Sequence, residues 1–88
     1  MDMSVDDVKD YLMDMGLEDT IVYDDYPDAF LGVSNDDRAI YSYSKMIKCL
    51  MERDGMTDTE AMEFLDFNTL CIKGDRFPIV LMEKESWL

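Results

Sequence analysis

Histidine is absent from this 88-residue sequence, and cysteine, proline and basic residues are scarce. Without histidine, the chain lacks the commonest general base and a frequent metal ligand. The two cysteines, Cys49 and Cys71, lie 22 residues apart, so neither belongs to a CxxC redox or zinc motif. Many carboxylate pairs are available, but no spacing singles one out for acid–base work. We therefore expect no catalytic residues, no cofactor and no metal site, and a protein that is not an enzyme.

The sequence also lacks a targeting or membrane-spanning segment. The N-terminus reads MDMSVDD, which is acidic where a secretory signal would be basic. The longest apolar run, Pro78–Met82, is far too short to span a bilayer. We expect a soluble protein in a reducing cytoplasm, where two cysteines remain unpaired.

Basic residues number eight against twenty-one acidic ones, which gives a formal net charge of −13. The imbalance is uneven, because residues 1–43 hold twelve acids and two bases while residues 44–88 hold nine acids and six bases. Such a chain does not bind a phosphate backbone or an anionic membrane directly, since both require clustered Lys and Arg. A partner that binds through charge should be basic. The plainer interpretation is an acidic surface that confers solubility.

Apolar periodicity predicts three helices and three strands. The helices are predicted over Ser4–Met15, from a cap at Ser42 or Ser44 to Gly55, and over Asp58–Leu70. The strands are predicted over Ala29–Val33, Arg38–Ser42 and Phe77–Met82, and Ile21–Tyr23 is a candidate short edge strand.

Several local signals refine these elements. Ser4 with Asp7, and Thr57 with Glu60, have the three-residue spacing of a capping box. Gly32 inside a strand pattern predicts a bulge or a close approach of another backbone. The continuous apolar run of the last strand predicts a central or doubly covered position.

The resulting order is α-β-β-α-α-β. Three short strands cannot bury an apolar face alone, and helices on one face would cover them. We therefore predict a single two-layer α+β domain over residues 1–88, with a small antiparallel three-stranded sheet and three helices. Arg38–Asn68 carries most of the apolar periodicity and should supply the core.

Other chemistry is weakly supported. Asp24, Asp25 and Asp28 lack the alternating pattern of a calcium loop, so turn formation explains them better. The helices flanking Gly55 have helix-turn-helix lengths, but the second begins with acidic residues and would not read DNA. Cys49 has Lys45 and Arg53 one turn away but no base, which favours a bystander thiol.

Acidic mimicry of nucleic acid is a sharper hypothesis. Asp7, Asp10 and Asp14 lie along one helix face at axial spacings of about 4.5 and 6 Å. Regularly spaced carboxylates can replace phosphates against a row of Arg and Lys, although a solvated helix face explains these three equally well. The candidate partner-binding residues are Asp7, Asp10, Asp14, Glu18, Asp19, Asp24, Asp25, Asp28, Asp36 and Asp37.

Four segments carry a family resemblance: Ala29–Val33, Ala39–Tyr43, Met51–Thr57 and Phe64–Thr69. Together they resemble a family of small, acidic, mostly uncharacterised proteins encoded by bacteriophages and bacterial mobile elements. The resemblance covers residues 24–80, and the chain departs from the commoner pattern at residues 71–75, where the family has a small Gly-containing turn. It implies a phage origin and supplies no catalytic residues.

Charge and resemblance together suggest a phage-encoded inhibitor of a host nucleic-acid-binding defence protein, such as a CRISPR effector or a restriction nuclease. It would act in the host cytoplasm by occupying the basic nucleic-acid channel of its target. The alternative is a phage accessory or regulatory module that binds a host protein through an apolar patch, with a homodimer as one form and no mimicry.

Overall fold

The structure is a computed structural model that describes residues 4–70 and 74–83. Its main elements are α1 (Val5–Asp14), β1 (Phe30–Val33), β2 (Ala39–Ser42), α2 (Tyr43–Asp54), α3 (Asp58–Leu65) and β3 (Ile79–Leu81). A 3₁₀ turn, Pro27–Ala29, precedes β1, and a π-helical turn, Asp66–Leu70, continues α3. The predicted order α-β-β-α-α-β and the α+β class are confirmed.

The helix starts follow from the capping residues. Ser4 and Asp7 exchange backbone-to-side-chain hydrogen bonds at the start of α1, and Thr57 and Glu60 do the same at α3. Both capping boxes were predicted from the three-residue spacing, because this interaction depends only on neighbouring residues. At α2 the cap is Ser42, whose hydroxyl accepts from the Lys45 amide.

The first two strands form the predicted antiparallel hairpin. Its register pairs Phe30 with Tyr41 and Val33 with Ala39, and it shifts between Phe30 and Gly32. This irregularity leaves one extra residue in β1, as in a β-bulge. Of the two alternatives predicted from Gly32, a bulge or a close approach of another backbone, the register shift supports the bulge.

The third strand differs from the prediction in two ways. β3 pairs parallel to β2, so the sheet is mixed and the expectation of an antiparallel sheet is wrong. The strand order is β1-β2-β3, so β3 lies at an edge and not in the centre, and Leu81, at 46% exposure, shows that it is not doubly covered either. The parallel direction follows from the connection, because the two helices between β2 and β3 return the chain to the end of the sheet where β2 began. Central β2 shows the stronger burial.

The main core lies between the sheet and the helix pair. Its buried members are Tyr26, Ala29, Ala39, Tyr41, Met46, Leu50, Ala61 and Leu65. Six of these eight come from Arg38–Asn68, as predicted, and the other two come from the segment before β1. Not every apolar side chain of the helices joins the core, because Tyr11, Met15 and Met51 are exposed.

Two smaller expectations are wrong. Ile21–Tyr23 is not a strand, and the α-helical part of α3 ends at Leu65 instead of Leu70. The second cysteine, Cys71, lies outside the described residues. No helix within residues 4–70 and 74–83 has the length and apolar character required to cross a membrane.

Candidate acidic interaction surface

The first part of the predicted surface lies on α1. Asp7, Asp10 and Asp14 are all exposed, as the helix pattern predicts. Asp7 is also engaged in folding, since its Oδ2 accepts from the Ser4 amide at 3.0 Å. Substitution of Asp10 or Asp14 therefore tests the charge of the α1 face without also removing a helix cap, whereas substitution of Asp7 does both.

The structure brings four of the predicted acids together around one cleft of about 250 Å³. Glu18 and Asp19 come from the loop after α1, while Asp36 and Asp37 come from the turn between β1 and β2. Asp75, from the segment before β3, completes a group of five carboxylates. We refer to this cavity, with its five carboxylates, as the acidic cleft.

Local backbone structure fixes the first wall of the acidic cleft. The Leu17 amide bonds to the Leu12 carbonyl at 2.8 Å, and the Gly16 amide bonds to the Met13 carbonyl at 2.9 Å. With Gly16 at a φ of +75°, this is a Schellman ending, which a residue without a side chain adopts most easily. The motif turns the chain sharply, so Glu18 and Asp19 follow directly from the end of α1.

Hydrogen bonds within the β1–β2 turn fix the second wall. Ser34 donates its amide to the Arg38 carbonyl at 2.8 Å, and its hydroxyl accepts from the Arg38 amide at 3.0 Å. The Ser34 hydroxyl also donates to Asp36 Oδ1. Asp37 has a φ of +64°, a left-handed conformation that Asp and Asn tolerate better than most residues. The turn therefore holds both carboxylates beside the cleft.

Two arginines reduce the negative charge there. Arg38 and Arg76 both line the acidic cleft, and Arg38 forms a 3.8 Å ion pair with Asp36. Arg38 is engaged on its other side, since its Nε donates to the Phe77 carbonyl at 2.9 Å. The cleft keeps an excess of carboxylates over guanidinium groups.

A neighbouring cleft of about 310 Å³ contains the next predicted acids, Asp24 and Asp25. Tyr23, between Ile21 and these acids, donates its amide to the Tyr41 hydroxyl at 3.0 Å. On the other side, Tyr26 is only 3% exposed and belongs to the core. The loop that carries Asp24 and Asp25 is therefore held in place on both sides by tyrosines.

Arg53 of α2 adds a third attachment to this loop. Its Nη1 donates to the Asp25 carbonyl at 2.6 Å, and its guanidinium lies 5.8 Å from the centre of the Tyr26 ring. Burial raises the pKa of Tyr26, and a hydrogen bond with Thr69 opposes this effect, so the phenol stays neutral at ordinary pH. Asp28 is exposed in the 3₁₀ turn that follows.

All ten predicted acids are thus exposed, but they do not form one continuous row. Sequence reasoning missed Asp75 at the cleft, because residues 74–76 gave no signal beyond a turn. It also missed the two arginines, since their proximity depends on β3 lying beside β2. Only the pairing of β2 with β3, which is remote in sequence, could have revealed them.

An apolar groove lies on another part of the surface. It has a volume of about 410 Å³ and is lined by Tyr43, Ser44, Ile47, Met62, Met82 and Glu83. Met62 and Met82 are 46% and 62% exposed. This is a candidate contact surface for the alternative function.

Cys49 is half-buried and packs against the core. Burial raises the pKa of its thiol, which lowers the thiolate fraction needed for nucleophilic attack. Among residues 4–70 and 74–83, no group of three acidic or cysteine side chains has the geometry of a metal site.

No family model matches the chain, and neither curated proteins nor solved structures match it. The geometry of its own side chains is therefore the basis for interpretation, and the resemblance to small phage proteins stays a prediction.

Proposed function

We propose that the protein is a small, non-enzymatic inhibitor that binds the basic nucleic-acid-binding surface of another protein through its acidic cleft and the α1 face. The observation that carries this proposal is the convergence of Glu18, Asp19, Asp36 and Asp37 from two separate segments. Carboxylates repel each other, and a basic partner would relieve that repulsion on binding. Dispersed acids would be sufficient for solubility alone.

The target class follows from the chemistry of such a surface. Fixed carboxylates complement Arg and Lys side chains arranged to bind phosphates. Together with the phage resemblance, this favours a host defence nuclease, either a CRISPR effector or a restriction enzyme. The inhibitor would act in the host cytoplasm and compete with nucleic acid for the channel.

A pair of charge-matched variants tests the proposal. The cleft variant carries Glu18→Gln, Asp19→Asn and Asp37→Asn, at exposed positions around the acidic cleft. The control variant carries Glu52→Gln, Glu63→Gln and Asp66→Asn, at exposed positions of α2 and at the end of α3. Both lose the same number of negative charges, so a difference between them reports position and not net charge.

Binding is measured by interferometry against purified CRISPR effectors and restriction nucleases, with nuclease activity as a second readout. We expect the cleft variant to bind about tenfold more weakly than the control variant, or roughly 0.5 kcal/mol per removed charge. Raising salt should weaken wild-type binding steeply, because the Debye length falls. Equal affinities of the two variants, or binding insensitive to salt, would refute a role of the acidic cleft.

The exposed Met62 and Met82 favour the apolar groove as a second candidate, for an accessory module that binds a protein partner or a second copy of itself. Burial of apolar surface depends little on salt. Met62→Ser should then abolish an association that survives high salt, measured by light scattering for a homodimer. A monomer of unchanged mass at high concentration would remove the homodimer form of this candidate.

A further inference from the structure

β3 is attached to the rest of the molecule weakly along its length and strongly at its ends. It is a three-residue edge strand that pairs with β2 on one side. Val80 packs against the core, whereas Leu81 and Met82 are 46% and 62% exposed. Short edge strands with little buried area belong to the least stable part of a fold.

The C-terminal end of this strand is held by one carboxylate. Glu83 Oε1 accepts from the Ser42 hydroxyl at 2.7 Å, from the Ser44 hydroxyl at 3.1 Å and from the Ser44 amide at 3.3 Å. Ser42 is fully buried and also caps α2. The carboxylate therefore lies at the N-terminus of a twelve-residue helix, where the helix dipole favours a negative charge.

The other end is held differently. Arg38 Nε donates to the Phe77 carbonyl at 2.9 Å, and its Nη2 lies 3.5 Å from the Gly74 carbonyl. A guanidinium remains charged at any pH at which the protein folds. The Glu83 end of β3 is thus held directly by a carboxylate, whereas the Arg38 end is held directly by a guanidinium, which itself pairs with Asp36 at 3.8 Å.

We propose that β3, Met82 and Glu83 form an acid-sensitive latch that opens from its C-terminal end while the helices remain folded. When the Glu83 carboxylate is protonated, it loses its attraction to the dipole of α2 and most of its value as an acceptor. The strand then detaches and frees the edge of β2. This device does not rest on the proposed inhibition through the acidic cleft, although Met82 and Glu83 also line the apolar groove.

The groups that surround Glu83 set the sign of the effect. Hydrogen bonds from Ser42 lower the pKa of Glu83 below its ordinary value of 4.5, burial opposes this shift, and Ser44 and Lys45 favour the charged form. Tyr43, which lines the apolar groove together with Glu83, has a pKa raised by burial and stays neutral in acid. The contribution of the latch is therefore complete above the unfolded-state pKa and is lost as pH falls through the lower folded-state pKa.

Hydrogen exchange of the full-length protein, followed by NMR, tests the latch with Glu83→Gln and the control Glu63→Gln, an exposed glutamate on α3. At neutral pH we expect Glu83→Gln to lower the protection of the β3 amides three- to tenfold, a range of about 0.7–1.4 kcal/mol. Protection at Met46 and Leu50 should change less than twofold, as it should everywhere in the control.

Two further outcomes complete the test. In the wild type, the ratio of β3 protection to α2 protection should fall as pH is lowered below 4.5, and it should stay constant in Glu83→Gln. If Glu83→Gln lowers protection equally in β3 and α2, or leaves β3 unchanged, the latch does not exist. A variant that failed to fold would be replaced by Ser44→Ala, which removes one donor to Glu83 and should give a smaller change of the same sign.

Discussion

Tyr41 provides the sharpest prediction of stability. Its side chain is completely buried in the centre of the sheet, 4.9 Å from the Tyr23 ring centre and 5.7 Å from that of Phe30. Burial raises the pKa of Tyr41 to about 12, the hydrogen bond from the Tyr23 backbone opposes the shift, and Asp24 adds to it. The folded state therefore resists ionisation of this phenol, whereas the unfolded chain ionises it near 10.0.

The size of the effect follows from linkage. A tyrosine with a raised folded-state pKa contributes stability that is complete below the unfolded-state value and is lost as pH rises through the folded-state value. A pKa raised from 10.0 to about 12 corresponds to about 2.7 kcal/mol of stability once the phenol is fully ionised in both states. A chain of this length has a total stability of roughly 4–13 kcal/mol, so the loss is a substantial fraction.

Urea unfolding followed by circular dichroism, from about pH 9 to about pH 12, measures this loss. Tyr41→Phe cannot ionise at this position, so its loss of stability by about pH 12 should be about 2 kcal/mol smaller than that of the wild type, since the full loss is reached only above the folded-state pKa. At neutral pH the same variant should be roughly 1–2 kcal/mol less stable, because the Tyr23 amide loses its acceptor. Tyr11→Phe, whose side chain is 45% exposed, serves as the control and should keep the wild-type profile. An alkaline profile of Tyr41→Phe identical to that of the wild type would refute the reasoning.

Three further outcomes test packing, backbone and charge. Leu50→Ala should lower the free energy of unfolding, measured with urea, by about 3–5 kcal/mol, because Leu50 is fully buried. The neighbouring Met51→Ala should lower it by less than about 1 kcal/mol, because Met51 is 41% exposed. Gly55→Ala should cost about 1 kcal/mol, seen as a fall in melting temperature, since Gly55 has a φ of +68° while a Cβ there would meet no neighbour. The cleft variant should unfold at a higher urea concentration than the wild type at low salt, and this gain should vanish at high salt. Equal costs at Leu50 and Met51, a neutral Gly55→Ala or a less stable cleft variant would contradict the respective argument.

The sequence predicted best what depends on neighbouring residues. The capping boxes at Ser4 and Thr57 needed only a three-residue spacing, and the end of α2 needed only Gly55. Both were predicted correctly because the physics of a helix end is local. Tyr26, by contrast, is a core residue that no local pattern indicates, since its burial depends on packing against distant elements.

Strand direction was the main failure, and its cause is equally physical. The apolar run Pro78–Met82 predicts a covered strand, but hydropathy does not encode which neighbour it takes or in which direction. A helix pair between β2 and β3 permits a parallel return, and because β1 already pairs with one side of β2, β3 takes the other side and lies at the edge. The same return places Asp75 and Arg76 in the cleft with Asp36. The wrong strand direction and the failure to predict Asp75 and Arg76 as cleft residues therefore have one origin.

The attachments of the acidic loops bear on the choice between mimicry and mere solubility. Glu18 and Asp19 follow a Schellman ending, Asp36 and Asp37 lie in a hydrogen-bonded turn, and the segment with Asp24 is fastened to Tyr41. Repulsion between carboxylates would separate loops that lacked such attachments. Solubility requires no convergence of charges, whereas binding gains from it, because a preorganised surface loses less conformational entropy when a partner arrives. The convergence of anchored carboxylates, more than their number, is therefore the stronger argument for a basic partner.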